Sequence, residues 1–83
     1  MKMICITFRS ITPAQQGQRV LQHSGVEAVL QRTPRWMEEK GCGYCLRLRT
    51  ENWKQAVWNL RQSGLSFQKI YALEDGKAEE VVL

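Results

Sequence analysis

Two stretches of helical period lie between short runs of strand period, and each helical stretch closes on a glycine. "MICITF", residues 3–8, sets Ile4, Ile6 and Phe8 on one side and Met3, Cys5 and Thr7 on the other, the alternation of a strand. "ITPAQQGQRVLQHSG" follows as a helix. Thr12 suits its cap, Pro13 its first position, Gln15 completes a capping box, and Gly25 is a left-handed stop. Ala14, Gly17, Leu21 and Ser24 form a stripe of small residues, with Val20 beside it, suited to close helix–sheet approach. "VEAVLQR" (26–32) and "YCLRLR" (44–49) read as the second and third strands. "TENWKQAVWNLRQSG" reads as the second helix, capped by Thr50, with Trp53, Ala56, Val57 and Leu60 on one face and Gly64 as its stop. "SFQKIYAL" (66–73) is the fourth strand. Residues 74–83 are acidic-rich and read as a tail or a short edge strand.

The order β-α-β-β-α-β is the split βαβ motif. It predicts an α+β, ferredoxin-like sandwich over a single domain, 1–73, with two helices on one face of a four-stranded antiparallel sheet. Right-handed crossovers put both helices on the same face. The first and third strands are expected at the centre, running parallel. The other face would be open and would carry Met3, Cys5, Thr7, Cys45, Arg47 and Arg49. A chain of 83 residues buries only roughly 60–65% of its unfolded surface, which leaves little room for an internal ligand cavity.

Composition narrows the setting. No apolar run approaches the ~20 residues of a membrane span, and "MKMICITFRS" has neither the length nor the cleavage site of a signal peptide. The reading is cytoplasmic, where three cysteines mean free thiols or chemistry rather than a disulfide framework. A net charge of +4 favours an anionic partner or ligand but is too mild to indicate nucleic acid. The first and third strands offer no aromatic on the expected open face for base stacking, which argues further against RNA.

The chemistry concentrates in "EKGCGYCLRLRT", residues 39–50. A thioredoxin-type Cys-x-x-Cys sits between a strand and a helix, where the helix end stabilises the first thiolate. Here the pair precedes a strand, which argues against a redox enzyme of that kind. Cys42 falls in a glycine-flanked loop and reads as the exposed thiol. Cys45 falls at the ordered strand start, placed to attack an adduct on Cys42. Arg35 and Lys40 add positive charge that favours a thiolate at Cys42, and Glu38 and Glu39 oppose it.

The run "RTPR", a polar stretch, then "CGYCLRLR" resembles the selenium/sulfur carrier protein-like family, small proteins with Thr-Pro-Arg, a short loop, Cys-Gly and an alternating Leu-Arg strand. "ICITFRSITPA" and "LRQSGLSFQKIY" are similar in kind, so the resemblance spans roughly residues 3–73. It implies a carrier without turnover of its own, holding sulfur or selenium on a cysteine for donor and acceptor proteins. The positions it carries over are Thr33, Pro34, Arg35, Cys42 and Gly43. This chain departs from the pattern at "WMEEKG", where the family has serines and small residues, and at the second cysteine, Cys45.

Blander readings stand beside these. Cys5 reads as a small core hydrophobe. Arg47 and Arg49 read as a solvated strand face or as an anion site. The alternative to a carrier is a ferredoxin-like binding module that uses Arg47, Arg49 and an exposed Trp for an anion, a nucleic acid or a protein. A zinc site from Cys5, His23, Cys42 and Cys45 rests on one Cys-x2-Cys and a distant His, which is weak. The reading calls for no cofactor and no metal, and leaves a homodimer through strand edges open.

Overall fold

The computed structural model describes residues 3–33, 43–49, 53–74 and 77–81. The elements run β1 (Met3–Phe8), α1 (Ile11–His23), β2 (Ala28–Arg32), β3 (Tyr44–Leu48), α2 (Trp53–Gln62), β4 (Ile70–Glu74) and β5 (Lys77–Val81). The five strands form one antiparallel sheet in the order β2-β3-β1-β4-β5. None of the described helices is long and apolar enough to cross a membrane.

Two expectations are corrected here. The sheet has five strands rather than four, because "KAEEV" forms β5 on the outer edge of β4. Its glutamates are poor strand formers. An edge position leaves Glu79 and Glu80 in solvent while Val81 packs toward the core. The second correction concerns β1 and β3, which are adjacent but antiparallel. The crossover through α1 makes β1 parallel to β2, and β3 lies between them, antiparallel to both.

Ile4, Ile6 and Phe8 of β1, Leu46 and Leu48 of β3 and Ile70 of β4 meet Ala14 and Leu21 of α1 and Ala56, Val57 and Leu60 of α2. Burying each large apolar side chain contributes about 1.5–3 kcal/mol, so this layer holds both helices to one face. Gly17 marks the closest approach. A Cβ there would come 3.1 Å from Phe8 Cζ and 3.2 Å from Leu46 Cδ1. Ser24 leaves the expected stripe, since it is the exposed C-cap of α1.

The helix ends explain where the strands begin. In α1, Gly25 N–H bonds the Gln22 carbonyl and Val26 N–H the Leu21 carbonyl. In α2, Gly64 and Leu65 repeat this with Arg61 and Leu60. Both are Schellman closures with a left-handed glycine, φ 78° at Gly25 and 77° at Gly64. Val26 is spent in this closure, so β2 begins at Ala28 rather than 26. Likewise Leu65 closes α2, and β4 begins at Ile70 rather than 66. At the other end of α1 the N-cap is Ser10, not Thr12, and Pro13 lies within the first turn, where its missing N–H costs nothing. The cap expected at Thr50 lies outside the described residues.

Candidate functional site

The register of β1 on β3 sets Cys5 opposite Arg47 and Thr7 opposite Cys45. Ile4, Ile6 and Phe8 face the helices, so the cysteines share the other face as diagonal neighbours. That face is not open at these positions, contrary to expectation: Cys5 and Cys45 are both 0% exposed and Thr7 is buried beside them. Small side chains on central strands lie beneath longer neighbours. Arg47 is one of these. Its Nη2 and Nε lie 2.8 and 3.0 Å from Met3 Sδ on β1, and its Nη1 donates to Gln31 Oε1 on β2 at 3.2 Å.

Gln31 pairs with Cys45 across the β2–β3 ladder. Its oxygen accepts from Arg47, and its side chain favours the ionised form of Cys45. Thr33 lies one alternation further on, its N–H bonded to the Gly43 carbonyl at 3.0 Å. Its side chain is buried, and Oγ1 has no hydrogen-bond partner of ordinary geometry. Oγ1 is nevertheless close enough to Cys45 to lower the thiol's pKa. A neutral thiol is a weak acceptor, and a thiolate would give this hydroxyl a partner.

The two thiols are pushed apart by this arrangement. The Cys45 pKa falls from 9.0 to about 7, mainly because the Cys5 S–H donates to it; burial opposes the fall, and Gln31, Thr33 and Arg47 add to it. The Cys5 pKa rises, chiefly through the same hydrogen bond and then through burial. Of the two, Cys45 is therefore the thiol that ionises first and Cys5 the one that keeps its proton.

Thr33, Gly43 and Cys45 thus meet where β2 ends and β3 begins, and Arg47, near the other end of β3, joins them through Gln31. Pro34, Arg35 and Cys42 lie outside the described residues. Arg49 is exposed just past β3, and with Arg47, Met3, Glu27 and Asn59 it lines an open cleft of about 750 Å³. Sequence reasoning gave Gln31 and Met3 no role; it read Cys5 as a core residue, which its full burial bears out, and as a rival to Cys45 for the resolving role should the central strands bring the two together. The signal for Cys5 was present in the strand alternation, which already put it on the face of Cys45. Among the described residues no three of His, Cys, Asp and Glu gather in a way that could hold a metal. His23 ends α1 on the helix side, across the sheet from both cysteines.

Against known protein families, the chain matches over residues 3–72 the model described as "Putative Se/S carrier protein-like". The chain belongs to this family. The match takes in the Thr-Pro-Arg and Cys-Gly motifs and every described element as far as Ala72 in β4. Neither the curated proteins nor the solved structures contain a match to the chain.

Proposed function

We propose that the chain is a cytoplasmic carrier, built on a ferredoxin-like unit with β5 appended, that holds sulfur or selenium as a persulfide-like adduct on Cys42 for transfer between partner proteins. Cys45 is its second catalytic thiol. Thr33, Pro34, Arg35 and Gly43 are the positions carried over from the family motif as binding residues, and Arg47 and Arg49 add positive charge. Membership of the carrier family carries this reading. A thiol at Cys45 whose pKa is lowered to about 7, three positions beyond Cys42, supports it, because sulfur transfer needs a thiolate.

The test is sulfur loading. The purified chain is exposed to cysteine persulfide and followed by intact mass and peptide mapping, beside Cys42→Ser and Cys45→Ser. Uptake of one sulfur that maps to Cys42 supports the reading; a wild-type chain that takes up none overturns it. Arg35→Ala should slow alkylation of Cys42 at neutral pH but not at high pH, where the thiol ionises unaided. Equal slowing at both would assign Arg35 a structural role.

The second reading, a binding module for an anion, has the cleft that Arg47 and Arg49 share in its favour. Arg47 is already engaged with Met3 and Gln31, which leaves Arg49 as the freer charge. Phosphate or oligonucleotide binding lost in Arg49→Ala, with no sulfur loading, would favour the module over the carrier.

A further inference from the structure

We propose that β2 is a docking edge for a second copy of this chain, the two β2 strands pairing antiparallel about Leu30 into one continuous sheet; this does not rest on the carrier reading. The two outer strands of the sheet differ. β5 carries Lys77, Glu79 and Glu80 among its five residues, and charges of this kind keep an exposed edge from pairing. β2 keeps a regular register along its whole length, and Ala28, Val29, Leu30 and Gln31 are uncharged; the charge on it is Arg32, its last residue. Val29 stands 55% exposed in the middle of this strand.

The ladder fixes which backbone groups of β2 face outward. Along an antiparallel strand, alternate residues bond to a given neighbour and the residues between them turn the other way. Thr33 N–H bonds the Gly43 carbonyl, one step past the Arg32–Tyr44 pair, so Gln31 and Val29 are the residues of β2 that bond β3. Ala28, Leu30 and Arg32 turn their N–H and C=O to the outer edge. A side chain of α1 agrees with this direction: Gln18 Nε2 donates to the Ala28 carbonyl at 2.9 Å. The N–H and C=O of Leu30 and Arg32 have no partner among the described residues.

This set of groups is complementary to itself. With Leu30 on the two-fold axis, Leu30 exchanges both backbone bonds with Leu30 of the second copy, and Ala28 pairs with Arg32 on either side. The Ala28 carbonyl has a second lone pair to offer beside Gln18. Val29 then lies opposite Gln31 and diagonal to the second copy's Val29, within reach for apolar contact on the helix-free face. Exposed Glu27 precedes the strand and exposed Arg32 ends it, so antiparallel pairing brings the acid of one copy to the end where the other carries its base. Parallel pairing would set like charge beside like. A contact of β2 with the β5 of another copy would be head-to-tail rather than two-fold, and the charges of β5 oppose it. One short edge makes a small interface, so the dimer forms and dissolves with concentration.

The experiment uses the full chain with Cys42→Ser, which excludes dimers linked through that thiol. Mass is followed by sedimentation equilibrium across a range of concentrations, and amide hydrogen exchange is read at the dilute and concentrated ends. Expected is a monomer–dimer equilibrium in which protection of the Leu30 and Arg32 amides rises with concentration, while the Val29 and Gln31 amides, already bonded to β3, change little. Val29→Lys sets two cations near each other across the axis and should leave the chain monomeric where the parent pairs, with an unchanged circular dichroism spectrum. Glu27→Lys should weaken pairing, and Arg32→Glu added to it should restore pairing; both positions are exposed, so this swap spares the core. A chain that is monomeric at every concentration overturns the inference. So does a dimer whose protection rises in β5 instead of at Leu30 and Arg32, or one that Val29→Lys leaves intact. If Glu27→Lys leaves pairing unchanged, the two-fold antiparallel arrangement is overturned.

Discussion

Residue by residue, the two buried thiols make folding stability depend on pH with a definite sign. Cys45 has its pKa lowered in the folded chain to about 7 from 9.0, so its contribution is fully present above 9 and is lost as pH falls through 7. Cys5 has its pKa raised, so above about 9 the unfolded chain loses a proton that the folded chain keeps, and stability falls again. In the Cys42→Ser background, the urea midpoint should climb from pH 7 to 9 and turn down beyond it. Adding Cys45→Ser should flatten the climb. Thr33→Val separates structure from chemistry. A buried hydroxyl without a partner costs about 1–3 kcal/mol, so at pH 6 the variant should be as stable as the parent or more so, and by pH 8 it should have gained less than the parent. The sequence made Cys45 legible as an ordered thiol at a strand start. It could not show that Cys5 donates to it, because that depends on which residues of β1 and β3 stand opposite each other, and alternation fixes only the face.

Among the elements, α1 is held most tightly at Gly17. Alanine there would gain up to about 1 kcal/mol in helix propensity. The added Cβ would press on the tips of Phe8 and Leu46, and overpacking of this kind costs about 1–3 kcal/mol. Gly17→Ala should therefore destabilise the chain by about 1 kcal/mol in urea denaturation; a stabilised variant would mean that the neighbours yield freely. The helices were legible because their apolar stripes and glycine stops are local signals: Ala56, Val57 and Leu60 are all buried, and Gly25 and Gly64 both take positive φ. The starts of β2 and β4 were misplaced because Val26 and Leu65 look like strand residues and serve as helix closures. β5 was half legible. The run Val81-Val82 gave the strand signal in an acidic stretch, and the partner that makes Lys77–Val81 a strand is the edge of β4.

For the molecule as a whole, the family match ends at residue 72 and β5 lies beyond it, paired among the described strands with β4. Glu79→Pro removes a backbone donor in the middle of β5. Hydrogen exchange should then show loss of protection at the β4 amides facing β5, with β1 and β3 unchanged; equal loss in the central strands would make β5 integral to the core. The central pair joins opposite halves of the chain, since β1 is made first and β3 only after α1 and β2. On a chain still being synthesised, Cys5 has no partner across the sheet and Cys45 does not yet exist. Each of the three donors around Cys45 comes from a strand other than its own or from the residue just beyond one. The lowered pKa is thus an attribute of the finished sheet, and an unfinished or misfolded copy would display ordinary, sluggish thiols. If the chain carries sulfur as proposed, the contacts that complete the fold would also distinguish finished molecules from unfinished ones by the reactivity of their thiols.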